Sequence, residues 1–593
     1  MTDSHDTRSA GRADLRSNDD RLVGAARLAI GLFQGIALYL LFRMAEGSGE
    51  TWSQRHPETF GPLVLTALFL PPVLLAGVGR LRWSTLVVWG VIAAAMTGFL
   101  AWHDIARQAG DIGREGTAPL FAFSAAALFI AHHLVVPADR ERRLIASYPA
   151  YFDAAWKAGV QLALSIGFAG AFWLLLFLGA ALFKIIGLSF LGDLIGETWF
   201  SFPLTGLAFA TAVHLTDVRD GLIRGVRTIA LMLLSWLLLV LTVLVGGFLA
   251  ALPFTGLHGL WETGSATALV LAAAGGMIIL INAAYQDGRA DNLPPAVLRV
   301  AVRVAAVLLT PLIVIAVWGL SLRIGQHGLT PDRIIASACA LVGAAYGLGY
   351  GLGALVPFFR KGSPWMKALE TTNVVAAVLT VAVILALFTP IADPARLSVA
   401  DQVARLERSK VAADKFDYAF LQNGSGRVGR AALARLAAST DADVSSRARQ
   451  AQADIVAADA APEDVQPMIE TLPGAPALPE PFFQIVGGPG DARLACRAAG
   501  DCLAVLGPSL GFPQGDVLLV QQGMISLFSE DAEYGTYWPQ GFYAPVVCGG
   551  QSSVDARDLL RQGKLRAAEA DRPALETGSG VPAERVARPD PRC

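Results

Sequence analysis

The sequence is short of charge. Only 16% of its 593 residues are Asp, Glu, Lys or Arg, where a soluble protein carries roughly a quarter, so water is excluded as the main solvent for most of the chain. An excess of base is also missing. The net charge is −2, the pI is near 6.5, and no basic stripe interleaved with aromatics occurs, which excludes nucleic acid as a partner. Cysteine is scarce at five residues, and no histidine follows His327. With CxxC spacing absent too, metal and redox pairs are not expected in the C-terminal third. No GxSxG, HExxH or paired-carboxylate arrangement nominates an enzyme. No catalytic residue, cofactor or metal is therefore expected. Nor is a secretory leader expected: about twenty polar residues, Met1 to Asp20, precede the first apolar run, whereas a signal peptide opens its apolar core almost at once, so that run reads as a retained helix.

What is present is hydrophobicity, 54% of residues at a mean hydropathy of +0.50. A helix needs roughly 20 apolar residues to cross about 30 Å of hydrocarbon. Eleven runs qualify: 22–42, 61–79, 83–102, 118–136, 158–183, 198–215, 228–251, 266–285, 300–320, 333–357 and 369–390, the sixth being the shortest. Pro71, Pro72, Pro203 and Pro311 fall in these runs and mark expected kinks. Lys and Arg translocate poorly, and they alternate sharply from loop to loop. About 18 lie on the side of the N-terminus, among them Arg80, Arg82, Arg140, Lys157 and Arg227, against about 6 on the other. That bias puts the N-terminus in the cytoplasm and, with an odd number of spans, the C-terminus outside. Lys184 to Glu197 has apolar residues at helical spacing and few charges, which fits an interfacial segment or a long helix end.

The expected architecture is an all-α polytopic membrane bundle of about eleven helices followed by a soluble α+β domain. Its parts are a polar N-terminus (1–21), the membrane domain (22–390), a helical periplasmic segment (391–460), a small β-rich domain (461–550) and a mobile tail (551–593). In the helical segment, Ser398-Val-Ala-Asp401 has the pattern of a capping box. Asn423-Gly-Ser-Gly426 reads as a turn. Strands are expected at Phe482–Val486, Asp516–Val520 and Met524–Phe528, the last two as a hairpin turning at Gly523. Cys496 and Cys502, in the outward part, are expected to form a disulfide; Cys548 and Cys593 have no evident partner.

Polar residues inside a bilayer are costly and so nominate sites. His132 and His133, His214 and Asp217, and Asn282, Tyr285 and Asp287 follow the fourth, sixth and eighth runs. They would line one cytoplasm-facing cavity if the helix ends converge, or else act as interfacial residues bonded to headgroups and loop backbone. Tyr148-Pro-Ala-Tyr-Phe-Asp153 is either an aromatic interface anchor or a substrate loop. Gly343, Gly347, Gly349, Gly351 and Gly353, within GAAYGLGYGLG, serve close helix packing or a hinge in a broken transport helix. GLGYGLG lacks the lysine of a phosphate loop.

Three stretches, PADRERRLIASYPAYFDAAWKAGVQLALS (137–165), HLTDVRDGLIRGVRTIALMLLSWL (214–237) and LINAAYQDG (280–288), resemble the bacterial membrane-protein family known as domain of unknown function 4153. The resemblance covers roughly residues 20–420 and implies a multi-pass protein of the cytoplasmic (inner) membrane, with the lipid bilayer as partner and no activity to transfer. Three functions stay open. They are transport or binding of a small or lipidic substrate, a scaffold whose outer domain recruits envelope partners, and a membrane-embedded transferase.

Overall fold

The computed structural model describes residues 3–46, 51–108, 117–218, 220–256, 266–289, 292–359, 364–459, 469–472, 475–479, 481–483, 496, 500, 502–521, 525–531, 536–543 and 556–563. The chain divides into two units, Met1–Gln452 and Ala453–Cys593. The first is helical: α1 (Asp3–Ala45), α2 (Trp52–Arg55), α3 (Pro57–Gly77), α4 (Trp83–Ala106), α5 (Ala118–Glu141), α6 (Tyr148–Ile185), α7 (Phe190–Gly196), α8 (Thr198–Val218), α9 (Asp220–Thr255), α10 (Ala266–Tyr285), α11 (Ala296–His327), α12 (Pro331–Phe359), α13 (Ala368–Leu387), α14 (Pro394–Glu407), α15 (Gly426–Ala437) and α16 (Ala442–Asp459). Hydrocarbon offers no partner to a bare peptide group, so an apolar run in a bilayer closes its hydrogen bonds within a helix. Among the described residues ten helices are long and apolar enough to cross a membrane: α1 from Arg21, α3 to α6, and α9 to α13.

Helix α8 is not among those ten. Thr198, Ser201, Thr205, Thr211, His214 and Thr216 dilute its apolar content. The hydroxyls of Thr205, Thr211 and Thr216 donate to the carbonyls of Ser201, Leu207 and Ala212 one turn back, at 2.7 to 2.8 Å, which hides their polarity. Its course is nonetheless that of a span. It runs antiparallel along α1, with His214 against Gly24, Gly206 against Gly31, and Phe202 against Gly35 and Phe42. It also returns along α6, where Trp173 Nε1 donates to Thr205 Oγ1 at 3.0 Å and Gln161 Nε2 to the Val213 carbonyl at 3.0 Å. A Cβ at Gly31 would lie 2.4 Å from the Gly206 carbonyl oxygen, so the two backbones touch, as small residues permit.

The helices continue through Pro71, Pro72, Pro203 and Pro311. Helix α6 ends at Ile185, and Gly187 (φ +80°) turns the chain into the separate short α7. Ile185, Ile186, Leu188 and Phe190 are exposed there, as in a segment lying along an interface.

Helix α14 starts earlier than its Ser398–Asp401 pattern implies. Asp393 is the cap, accepting from the Ala395 amide at 2.9 Å, with Pro394 at the first helical position. Ser398 and Asp401 instead grip the turn between α11 and α12. Ser398 Oγ donates to the Leu329 carbonyl at 2.8 Å, and Asp401 Oδ2 accepts from the Leu329 amide at 2.7 Å. Gln402 and Arg405 extend the grip to the carbonyls of His327 and Gln326.

Among the described residues of the second unit five strands, β1 (Ile469–Thr471), β2 (Cys502–Leu506), β3 (Asp516–Val520), β4 (Ile525–Asp531) and β5 (Thr536–Tyr543), form one sheet in chain order. β1 and β2 are parallel and the rest antiparallel. The β3–β4 hairpin pairs Val520 with Ile525; its tip, Gln522 to Met524, lies outside the described residues. Both faces are covered. Cys502, Ala504, Val517, Leu519 and Phe528 pack with Phe482 and Cys496 on one, and Leu503, Val505, Leu518 and Val520 meet Ala556 and Leu560 on the other. Two expectations change here. Phe482 sits in the helical stretch 481–483 rather than a strand, and residues 484–486 are outside the described residues. Within the expected tail, Ala556–Arg561 forms α17, because Ala556 and Leu560, one turn apart, bury against the sheet. The Cys496 and Cys502 sulfurs are bonded; Cys548 and Cys593 lie outside the described residues.

The α1–α8 contact gives a first test. Gly206→Leu forces a side chain into the α1 backbone and should cost at least ~1–3 kcal/mol, read as a lower melting temperature of the detergent-solubilised protein. Gly347→Ala is the control. Its Cβ would come no nearer than 3.6 Å to a neighbour, and the melt should stay within about 0.5 kcal/mol of the parent.

Candidate functional site

Arg27 is the only charged residue between Leu22 and Phe42, and it is 2% exposed. A buried guanidinium needs a carboxylate and hydrogen-bond acceptors where it stands. Its Nη2 donates to Asp217 Oδ2 at 2.6 Å and to the Val78 carbonyl at 3.0 Å. Arg80, presented by the α3–α4 turn that Gly79 (φ +79°) allows, donates to Asp217 Oδ1 and, at 2.9 Å, to Gln161 Oε1. Lys157 on α6 lies 3.6 Å from the same Asp217 oxygen. Asp217 stands in the last turn of α8, the negative end of that helix, where a carboxylate is unfavourable unless cations meet it. Three cations from α1, the α3–α4 turn and α6 do so.

This knot closes one end of a cavity of about 1150 Å³ walled by α1, α3, α5, α6 and α8. The walls are almost wholly apolar, with Leu38, Phe69, Leu128, Ile166, Phe177 and Phe209 among the lining side chains. Polar groups gather at the knot end, where Arg80, His132, His133 and Gln161 face in. A second, small pocket of about 30 Å³ adjoins it, sharing Arg80, His132 and His133 and adding Arg140 and Lys157. Trp89 Nε1 donates to His132 Nδ1 at 3.1 Å, so His132 carries its proton on Nε2. His133 Nδ1 donates to the Phe129 carbonyl at 2.6 Å, leaving its Nε2 as an acceptor. Adjacent imidazoles thus offer one donor and one acceptor.

The other nominated residues go elsewhere. His214 packs on Gly24 of α1 and does not line the cavity. Asn282 belongs to a closed ring between α6, α10, α12 and α13. Tyr148 donates to Asn282 Oδ1 at 3.4 Å, and Asn282 Nδ2 to Tyr350 at 2.7 Å. Tyr350 donates to Asn373 Oδ1 at 2.7 Å, and Asn373 Nδ2 returns to Tyr148 at 3.2 Å and to Asn282 Oδ1 at 2.7 Å. Asn282 Nδ2 also donates to the Ile278 carbonyl, so every amide hydrogen of the ring is used and the cluster ties helices rather than presenting groups. Tyr285 donates to Glu370, which Lys367 also contacts. Asp287 accepts from Asn292 and the Arg289 amide, capping its own turn. Helix α6 links ring and knot across the thirteen residues from Tyr148 to Gln161, about 20 Å of helix, so the seven residues do not share a cavity. Among the described residues no group of three His, Cys, Asp or Glu is set to hold a metal.

Two further motifs resolve structurally. Tyr148, Tyr151 and Phe152 are buried, and Tyr151 Oη accepts from the Ala146 amide at 2.9 Å; the motif is core, not a headgroup anchor or open loop. Helix α12 is unbroken from Pro331 to Phe359. A Cβ at Gly349 would fall 2.1 Å from Thr372 Oγ1 and one at Gly351 2.6 Å from Thr310 Oγ1, while Gly343 faces Ile313. Thr310 Oγ1 donates to the Gly347 carbonyl at 2.9 Å.

The family model for a domain of unknown function, DUF4153, matches residues 63–436. The chain belongs to the DUF4153 family. No curated protein and no solved structure matches it. The DUF4153 region runs from the second turn of α3 almost to the end of α15, taking in Arg80, His132, His133, Lys157, Gln161, Asp217 and the whole Tyr–Asn ring. Arg27, which completes the knot, lies before it.

The knot predicts a coupled stability effect. Arg27→Met should destabilise by ~3–5 kcal/mol, the usual cost of orphaning a buried ionic partner. Arg27→Met with Asp217→Asn should cost less than the two single changes added together, by roughly 0.5–3 kcal/mol. Thermal melts of the four proteins in one detergent check this, and strict additivity would mean the pair is not coupled.

Proposed function

We propose that this integral membrane protein binds and carries a lipidic substrate in the cavity between α1, α3, α5, α6 and α8, within the bacterial inner membrane. The cavity itself carries this reading. At about 1150 Å³ it exceeds the ~300–1,000 Å³ of ordinary small-molecule sites, and its apolar walls suit chains rather than hydrated solutes. An ion path would need rings of carbonyls or charge along its length; here polar side chains gather mainly at one end. Access favours the bilayer too. Leu162 and Ile166 of α6 line the cavity and are 41% and 59% exposed, which fits a wall that lipid can reach.

Gly170 lines the cavity, and a Cβ there would meet nothing within 4 Å. Gly170→Trp should therefore fill the space without disturbing the fold. Mass spectrometry of lipid extracted from the purified protein is expected to show a stoichiometric lipid in the parent and, for the variant, at least about tenfold less at an unchanged melting temperature, the loss of ~1.4 kcal/mol of binding. Equal retention in both would overturn the reading.

The orientation that goes with it has the N-terminus in the cytoplasm and the chain beyond α13 in the periplasm. The support is the loop-by-loop bias of Arg and Lys together with the antiparallel course of α8, which makes the number of crossings odd. A periplasm-dependent reporter fused after Pro390 should be active, and a cytoplasm-dependent one silent. The reverse pattern would refute an odd number of spans.

A further inference from the structure

We infer that the lipid held in this cavity ends in a neutral hydroxyl, seated between His132 and His133. The inference rests on the cavity being a lipid site and adds what its headgroup is. The two imidazoles are 3% and 9% exposed, and both line the large cavity and the small pocket beside it. Each spends one ring nitrogen on the protein. Trp89 Nε1 donates to His132 Nδ1 at 3.1 Å, so that nitrogen is bare, and the Phe129 carbonyl accepts from His133 Nδ1 at 2.6 Å, so that one holds its hydrogen. Among the described residues neither Nε2 has a protein partner. One is a donor and the other an acceptor, on rings whose centres lie 5.2 Å apart and whose planes cross at 74°. Buried polar groups left unmet are costly. A hydroxyl answers both at once, accepting from His132 and donating to His133. An ether has no hydrogen to donate, and a fully ionised oxyanion would set its lone pairs against that of His133.

Size points the same way. The small pocket holds about 30 Å³, room for one or two water-sized groups, and a hydroxyl is of that size. The charged groups at this end are engaged with protein: Arg80 with Asp217 and Gln161, and Lys157 with Asp217, while Arg140 has a partner of its own. Recognition of the headgroup therefore falls to the imidazoles. The apolar part sets the tail. Lining residues run along α6 from Gln161 to Phe177, sixteen residues or about 24 Å of helix. That is most of the ~30 Å hydrocarbon thickness and more than one leaflet of it. An extended chain longer than a leaflet is deep, with a hydroxyl at the histidine end, fits both halves of the site.

The test offers octadecan-1-ol, its methyl ether and octadecyl phosphate to the full chain in detergent micelles at equal mole fraction, and counts the probe retained per protein by mass spectrometry. The parent should keep at least about fivefold more alcohol than ether, the scale of one buried hydrogen bond left unmade, and no more phosphate than alcohol. His133→Leu removes the acceptor and should bring alcohol and ether to equal retention, while His133→Gln, which keeps an acceptor, should restore most of the difference. His132→Asn keeps an oxygen for Trp89 and loses the donor, so it should lower alcohol and ether alike by several-fold. A merely structural role for either histidine would not divide the probes in this way, and the parent comparison decides the matter if a variant fails to fold. Equal retention of alcohol and ether by the parent would overturn the headgroup inference and leave lipid binding standing, because water would then serve the two nitrogens. A phosphate kept several-fold above the alcohol would overturn it too, as would an alcohol preference that survives His133→Leu. Retention of none of the three would remove the lipid site itself.

Discussion

Charge placed inside hydrocarbon has to be met by opposite charge where it stands, and in this bundle one carboxylate ties together three helices and a turn. Asp217 ends α8, Arg27 rises from α1, Arg80 comes from the α3–α4 turn and Lys157 from α6. The positions of these four elements at that end of the cavity are set by this one meeting. Lengthening any branch would strand a buried guanidinium, which costs more than the pair returns. The cavity's polar end and its walls are therefore one structural problem with one solution.

The opposite end of the bundle is fixed differently, through backbone. Ser398, Asp401, Gln402 and Arg405 recur on one face of α14 and between them take up amide and carbonyl groups from Gln326 to Leu329. Gly426 (φ +60°) brings the Arg427 amide to the Arg107 carbonyl at 2.9 Å, and Arg427 pairs with Glu58 at 3.2 Å. Asp393, the cap of α14, also faces His103 and Arg107. The helices after α13 thus hold the loops at that end, while Leu397 joins the core formed by Leu65, Leu100 and Leu387.

The bundle and the alternation of its loops were legible in composition and run length, since those depend on single residues and their neighbours. What escaped depended on partners. Arg27 was the one charge in the first run and a visible signal, but its mate lies 190 positions away. The seven polar residues shared a helix end in sequence yet divide between a cavity and a closed hydrogen-bonded ring, because rotation about each helix axis decides which neighbour a side chain meets. Asn373 and Glu370 open the last span and complete those contacts, with nothing local to announce them. In the soluble unit Cys502–Leu506 is apolar at every position and buried on both faces, so it lacks the alternation by which strands are usually found. The Ser398–Asp401 pattern was a true cluster of hydrogen-bonding groups assigned to the wrong backbone.

Helix α8 carries a consequence for how the protein is made. A segment this rich in threonine, with a histidine and a proline, gains less from lipid than its neighbours and is poorly retained by hydrophobicity alone. Its stability in the bilayer comes from α1, whose Gly31 and Gly35 let the backbones touch, and from α6, which shares hydrogen bonds with it. Both precede it in the chain. The order of synthesis therefore matters to this helix: its partners emerge first, and it enters the membrane as the third member of an assembly already waiting for it.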